Sequence, residues 1–279
     1  MKNTSTGVIF MILTIFLFSI MNATAKGFTT YYPIIEIVWV RYLSQTVFTT
    51  LIFISCGSDQ EINDTKIFLN FSHNVDGNPV SMDDLSHTNL AGENYNVLTL
   101  KYLISDIKLI SNEKDHEKII KDIHFVDLSD PSTMVIESDI IENGSYTLQF
   151  RFGLDATTNV TNSFVNETFH TSMSWPEMMG GGYHYMKLEG SYTNDSTFYN
   201  THTGPTMGMD HSFLCSFDVP ININNSTNNL EYAIEMNINN WYGPEVVNLE
   251  PAIMMNMPTQ MNLMMNGMMG VFNLQGLLD

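Results

Sequence analysis

From residue 65 onward the sequence is built of short runs that alternate apolar and polar residues, separated by Asn, Gly and Asp. The first is Thr65-Lys66-Ile67-Phe68-Leu69-Asn70-Phe71-Ser72-His73, which meets the turn sequence Asp76-Gly77-Asn78-Pro79. A period of two sends successive side chains to opposite faces of a strand, a pattern that suits a half-buried sheet and not an α-helix. Runs of this kind recur over 95–111, 121–127, 133–137, 145–154, 183–192, 211–221 and 230–239. Many short strands with such punctuation bury their apolar faces by stacking two sheets, so the expected class is all-β: an antiparallel β-sandwich over 65–279. Residues 157–182 lack an apolar period and read as a long functional loop. Pro258 and Gly267 frame one short C-terminal helix. Met261, Met264, Met265 and Met268 share a face of that helix, the pattern of a core-facing stripe.

Ahead of the sandwich lie two apolar runs, Gly7 to Met21 and Ile34 to Ser55, which predict N-terminal hydrophobic helices in a targeting or anchor region, 1–55, with 56–64 as a tether. Met21-Asn22-Ala23-Thr24-Ala25-Lys26 and Pro33-Ile34-Ile35-Glu36-Ile37-Val38-Trp39-Val40-Arg41-Tyr42 resemble the start of an EamA-type transporter. One hairpin cannot make a ten-helix carrier, so that resemblance implies no transport. From Arg41 the chain runs to Leu51-Ile52-Phe53-Ile54-Ser55-Cys56-Gly57-Ser58-Asp59, which resembles a bacterial lipoprotein signal. The resemblance implies lipidation of Cys56, attachment to a membrane through that lipid, and an outer-membrane or cell-surface location facing periplasm or exterior.

The net charge of −19 and pI near 4.5 exclude a nucleic-acid partner, since phosphate binding needs a basic face that releases counterions. Lys2, Lys26 and Arg41 outnumber Glu36 in residues 1–55, so the rest is more acidic than the total, a field that concentrates cations. There is no Gly-x-Ser-x-Gly elbow and no phosphate-cradling loop beside a lysine, because Gly180-Gly181-Gly182 leads into a strand. These observations predict a binding protein and no enzyme. Cys215, in Phe213-Leu214-Cys215-Ser216-Phe217, reads as a buried strand thiol.

The chemistry concentrates in Trp175-Pro176-Glu177-Met178-Met179-Gly180-Gly181-Gly182-Tyr183-His184-Tyr185-Met186-Lys187-Leu188-Glu189-Gly190, then His202-Thr203-Gly204 and Asp210-His211. Imidazole and thioether suit copper, thioether favouring Cu(I). A regular strand would place His184 and Met186 on one face, and His202 and His211, in and after a turn, could fold over it. Phe71-Ser72-His73-Asn74-Val75-Asp76-Gly77-Asn78-Pro79, the 95–107 run, the Trp175 to Gly190 block, His202-Thr203-Gly204 and Asn266-Gly267-Met268-Met269-Gly270-Val271-Phe272 resemble the MbnP family from about residue 66 onward. The resemblance implies an exported β-sandwich holding copper with histidines beside a tryptophan. It also implies oxidation of that tryptophan, here Trp175, to kynurenine by a di-haem peroxidase partner. Many members carry an aromatic two residues after the tryptophan, where this chain has Glu177. The expected ligands are His184 and His202, with His73 or His211 completing the site and Trp175 adjoining. The alternative is a metal-free adhesion or glycan-binding sandwich using Trp241-Tyr242 as an exposed platform.

Overall fold

The computed structural model describes residues 65–276 apart from 81–86, 194–196, 218–219, 225–228 and 252, together with scattered helical positions between 16 and 46. Cys56 and the 56–64 tether lie outside the described residues. The chain divides into two units, Met1–Ile62 and Asn63–Asp279. In the first, the described helical positions fall between 16 and 28 and between 35 and 46, and among the described residues no helix is long and apolar enough to cross a membrane.

The second unit is the expected β-sandwich. Among the described residues, five strands form the smaller sheet. Its path is β14 (Phe272–Gln275), β13 (Leu230–Asn237), β1 (Ile67–Val75) and β2 (Asn78–Pro79), with β7 (Val135–Glu137) also pairing β1. Nine form the larger sheet: β3 (His87–Thr88), β4 (Asn94–Tyr95), β5 (Thr99–Ser111), β6 (Glu117–Asp127), β8 (Gly144–Phe152), β9 (Met186–Tyr192), β10 (Thr197–Thr203), β11 (Phe213–Ser216) and β12 (Ile221–Ile223). Pairing is antiparallel throughout except between β1 and β13, which run parallel from Ile67↔Leu230 to Asn74↔Asn237. The first strand thus takes a partner more than 150 residues away, beyond the reach of any local turn signal.

Alternation in β1 does what the sequence predicts: Ile67, Leu69 and Phe71 are buried while Phe68 and Asn70 between them are half-buried. The two sheets enclose an aromatic core in which Phe152 packs against Trp241 at 4.9 Å between ring centroids and against Phe213 at 5.1 Å. Burying such side chains contributes about 1.5–3 kcal/mol each.

The helix α2 (Met257–Gly270) follows a one-turn helix α1 (His170–Met173), and Asn256 caps α2 by accepting the Thr259 N–H at 3.2 Å. Of its methionine stripe only Met264 packs against the core. The buried face carries Gln260, Leu263, Asn266 and Gly267, while Met261, Met265, Met268 and Met269 are exposed. Gly267 sets this rotation, because a Cβ there would collide with the Phe213 ring and fall 2.9 Å from Trp241. Asn266 adds direction: its amide donates to the carbonyls of Trp241 and Glu245 and its oxygen accepts the Glu245 N–H.

The larger sheet forks, and the fork positions the chemistry. One edge of β5 pairs with β6 along its length, while the other is shared: β9 takes Thr99 to Tyr102 and β8 takes Ile104 to Ser111. At Leu103, between them, the N–H donates to Tyr185 O and the carbonyl accepts from Gly153 N–H. Gly153 has φ +82°, and its Cα faces the Tyr185 ring so closely that an added Cβ would stand 2.5 Å away. His184 sits immediately before this junction.

Candidate metal centre

His184 precedes the regular part of β9, and its backbone is held from another direction: its N–H donates to Met173 O at 2.6 Å. Its ring Nδ1 is 3.1 Å from the same carbonyl, so Nδ1 carries the proton and Nε2 keeps its lone pair. Nε2 is buried with no hydrogen-bond partner. Desolvation, with His202 close by, pushes the His184 pKa down to about 3, so the ring stays neutral at ordinary pH.

The sequence reading placed His202 in a turn; it lies instead on β10, opposite Lys187 of β9. On that face its Nε2 meets Glu189 Oε1 at 2.7 Å, leaving Nδ1 buried and without a partner. Glu189 also stands 3.6 Å from Lys187 Nζ. The hydrogen bond from His202 is the main reason the Glu189 carboxyl is held down at about 2. The His184 and His202 rings adjoin, with centroids 5.0 Å apart and planes at 86°.

Trp175 arrives from the long loop. Ser174 bridges Tyr183, and Trp175 N–H donates to Gly182 O at 2.9 Å. The loop is clamped in turn, since Asn159 Oδ1 accepts the Tyr183 N–H at 2.7 Å and Thr161 Oγ1 accepts that of Gly182 at 2.8 Å. Gly181 and Gly182, at φ +72° and +87°, lie so close to Thr161 and Asn159 that side chains there would collide. The glycine run is therefore a close backbone approach. Trp175 is 2% exposed, its ring is 4.7 Å from that of His184, and its Nε1 has no partner. Gly204 packs against the indole, with room for no Cβ, and its carbonyl accepts from His211 Nδ1 at 3.1 Å. His211 Nε2 is buried and partnerless like the other two nitrogens.

The structure thus joins Trp175, His184 and His202 by ring contact and brings His211 to the same wall through Gly204. Among the described residues, no three His, Cys, Asp or Glu side chains are gathered as a ready metal-binding group. His73 stands apart. It belongs to β1 in the smaller sheet, where its Nε2 lies 3.1 Å from Tyr102 Oη and burial depresses its pKa to about 4. Met186 also departs from expectation: it is the neighbour of Lys187, whose cross-strand partner is His202, so alternation turns it to the opposite face. The irregular backbone between His184 and Met186 breaks the same-face reading. Trp241 and Tyr242 are fully buried and offer no exposed platform. Cys215 is half-buried on β11 opposite Phe150, and burial raises its thiol pKa.

Partnerless nitrogen alone is not distinctive, since His87 Nε2 shares it beside Tyr95. Distinctive is the adjacency of two such imidazoles, each oriented through its other nitrogen, the arrangement that metal-binding histidines require. Sequence reasoning missed Glu189 as the orienting carboxylate and Gln260, whose amide donates to His202 O at 2.7 Å. Glu189 alternates with Lys187 on one strand face, a legible signal, but its pairing with His202 depends on the hairpin register.

The sequence profile of the MbnP family matches residues 64–261. Among curated proteins there is no match. Among solved structures, MbnP from Methylosinus trichosporium aligns over 66% of this chain and 79% of its own, at 13% identity and a TM-score of 0.46. With the greater part of its length matched by the family profile, the chain belongs to the MbnP family.

Proposed function

We propose that this protein binds copper outside the cytoplasm, in acquisition, storage or delivery, through His184 Nε2 and His202 Nδ1. The carrying observation is the adjoining, buried pair of imidazoles, each with one ring nitrogen that has no protein partner. A buried nitrogen lone pair without a donor costs free energy, and a metal ion removes that cost while using the fixed tautomers. Two imidazoles do not complete a copper site. His211 Nε2, buried and without a partner, would be the further nitrogen ligand, and Trp175 walls the site. The function is binding, with no turnover. Lipidation at Cys56 tethers the acidic domain to the outer membrane, where its charge gathers cations.

The family resemblance extends the proposal to Trp175. Oxidative opening of its indole to kynurenine, carried out by a di-haem peroxidase partner, would replace a ring nitrogen that binds metals poorly with an amine and a carbonyl beside His184. Intact-mass measurement of the native protein tests this step separately from metal binding.

For copper itself, the full chain is exposed to Cu(II) without reductant, freed of excess ion and assayed. It should retain copper in a one-to-one ratio, with nitrogen hyperfine structure in the Cu(II) electron paramagnetic resonance spectrum. His184→Ala and His202→Ala should each lose the ion, and His73→Ala should keep it. Equal copper in His184→Ala and the wild type sinks the reading.

A further inference from the structure

Five methionines line a cleft of about 310 Å³: Met178, Met179, Met207, Met254 and Met255. They come from three segments. Met178 and Met179 lie in a 3₁₀ turn just after Trp175. Met207 lies at φ +51° in the tight turn between Thr206 and Met209, whose backbones bond to each other in both directions at 3.0 Å. Met254 and Met255 precede α2, and Thr206 Oγ1 donates to Met254 O at 3.2 Å, fastening the second segment to the third.

Packing does not account for this gathering. Met178 is 92% exposed, Met207 69% and Met255 60%, so these side chains gain little of the burial that places methionine in a core. No charged side chain lines the cleft, and its remaining walls are Gly180, Thr206 and Gly208. A hard divalent cation finds no carboxylate there and an anion no cation. Thioether sulfur is a neutral, polarizable donor that selects soft monovalent ions, Cu(I) foremost. The glycines at 180 and 208, at φ +116° and +81°, let both turns bend so that successive methionines project into one space. Each segment is continuous with the imidazole cluster. Met178 is three residues past Trp175, Met207 three past Gly204, and the third segment leads into α2, whose Gln260 binds both Ile253 O and His202 O.

We propose that the methionine cleft is a second metal site, a thioether site for Cu(I), separate from the imidazole pair. The ion binds in its reduced state, with sulfur lone pairs donated and no electron transferred. The physiological ion rests on the copper reading above; the ligand set does not.

The test uses the full chain with methyl-labelled methionine, titrated anaerobically with Ag(I) and, in parallel, with Cu(I) buffered by a competing chelator. Three substitutions, Met178→Leu, Met207→Leu and Met254→Leu, keep the apolar volume and remove the sulfur. The wild type should bind the monovalent ion with methyl shifts at these methionines. The triple variant should lose that binding while retaining Cu(II) at the imidazoles, and His184→Ala should lose Cu(II) while retaining Ag(I). Ag(I) binding that survives in the triple variant, disappears in His184→Ala or never occurs in the wild type overturns the site. Shifts produced only by an apolar peptide would also overturn it, making the cleft a protein-docking groove. A wild type that takes Ag(I) but no Cu(II) fails the imidazole reading alone.

Discussion

Glu189 does for His202 what the Met173 carbonyl does for His184: it accepts the proton-bearing nitrogen and leaves the other bare. The two acceptors differ in charge, and the carboxylate also makes its imidazole a stronger donor to a metal. Replacing Glu189 with Gln keeps an acceptor of the same shape and removes the charge. Copper affinity should then fall about 10–100-fold, read by chelator competition, with the melting curve little changed. Unchanged affinity would strip Glu189 of its orienting role. Gly204 acts at the same scale by sterics alone, since its missing Cβ is what allows the indole of Trp175 to close the wall.

Strand β9 can begin beside β5 only because β8 ends there, and the exchange is made over Leu103, with Gly153 on one side and Tyr185 on the other. Tyr185 is fixed further by donating its hydroxyl to Asp210 at 2.7 Å, one residue before His211. The fork thus links the segments carrying His184 and His211. Gly153→Ala forces a side chain into positive φ and against the Tyr185 ring. Overpacking of that kind costs about 1–3 kcal/mol, with backbone strain in addition. The variant should unfold at lower urea concentration and bind copper more weakly even where it is folded. A loss of stability with intact copper affinity would separate the fork from the site.

The sandwich as a whole shields several imidazoles from protonation. Burial lowers His73 and His124 each to about 4 from an ordinary value of 6.5, and His124 is further held by bonds to Thr133 O and Lys121. His184 shifts the same way. The unfolded chain takes up protons near pH 6.5 that the folded chain refuses, so stability is level above that value and falls as pH drops toward 4. Paired carboxylates such as Glu189 and Asp155, held near 2, add their losses at lower pH. The interval between about pH 6.5 and 5 therefore reports the histidines, before most carboxylates titrate. Urea midpoints without metal should decline across it; a flat profile would contradict the burial of these rings. Reduced self-repulsion in a chain of net charge −19 works against the decline, so its sign is a demanding test.

Period-two patterning was enough to identify most of the longer strands and the sandwich, because which face is buried is a local property of each run. The histidine–tryptophan block and the short helix were legible for the same reason: residue types and cap signals are carried within a few positions. Pairing was not. The parallel union of β1 with β13 and the closing strand β14 depend on partners far along the chain, and the strand character of β10 around His202 depends on the register of its hairpin with β9. Met261, Met265 and Met268 of the stripe on α2 face outward, with only Met264 against the core, because Gln260, Leu263, Asn266 and Gly267 take the inner face, and the need for a glycine there exists only once Phe213 and Trp241 are in place. His73 looked equivalent to His184 and His211 by composition, and only the assignment of β1 to the smaller sheet gave it Tyr102 as a partner. Sequence alone determined which side chains could bind a soft or borderline metal. Tertiary structure decided which keep a free lone pair, because that depends on which nitrogen each neighbour has already taken.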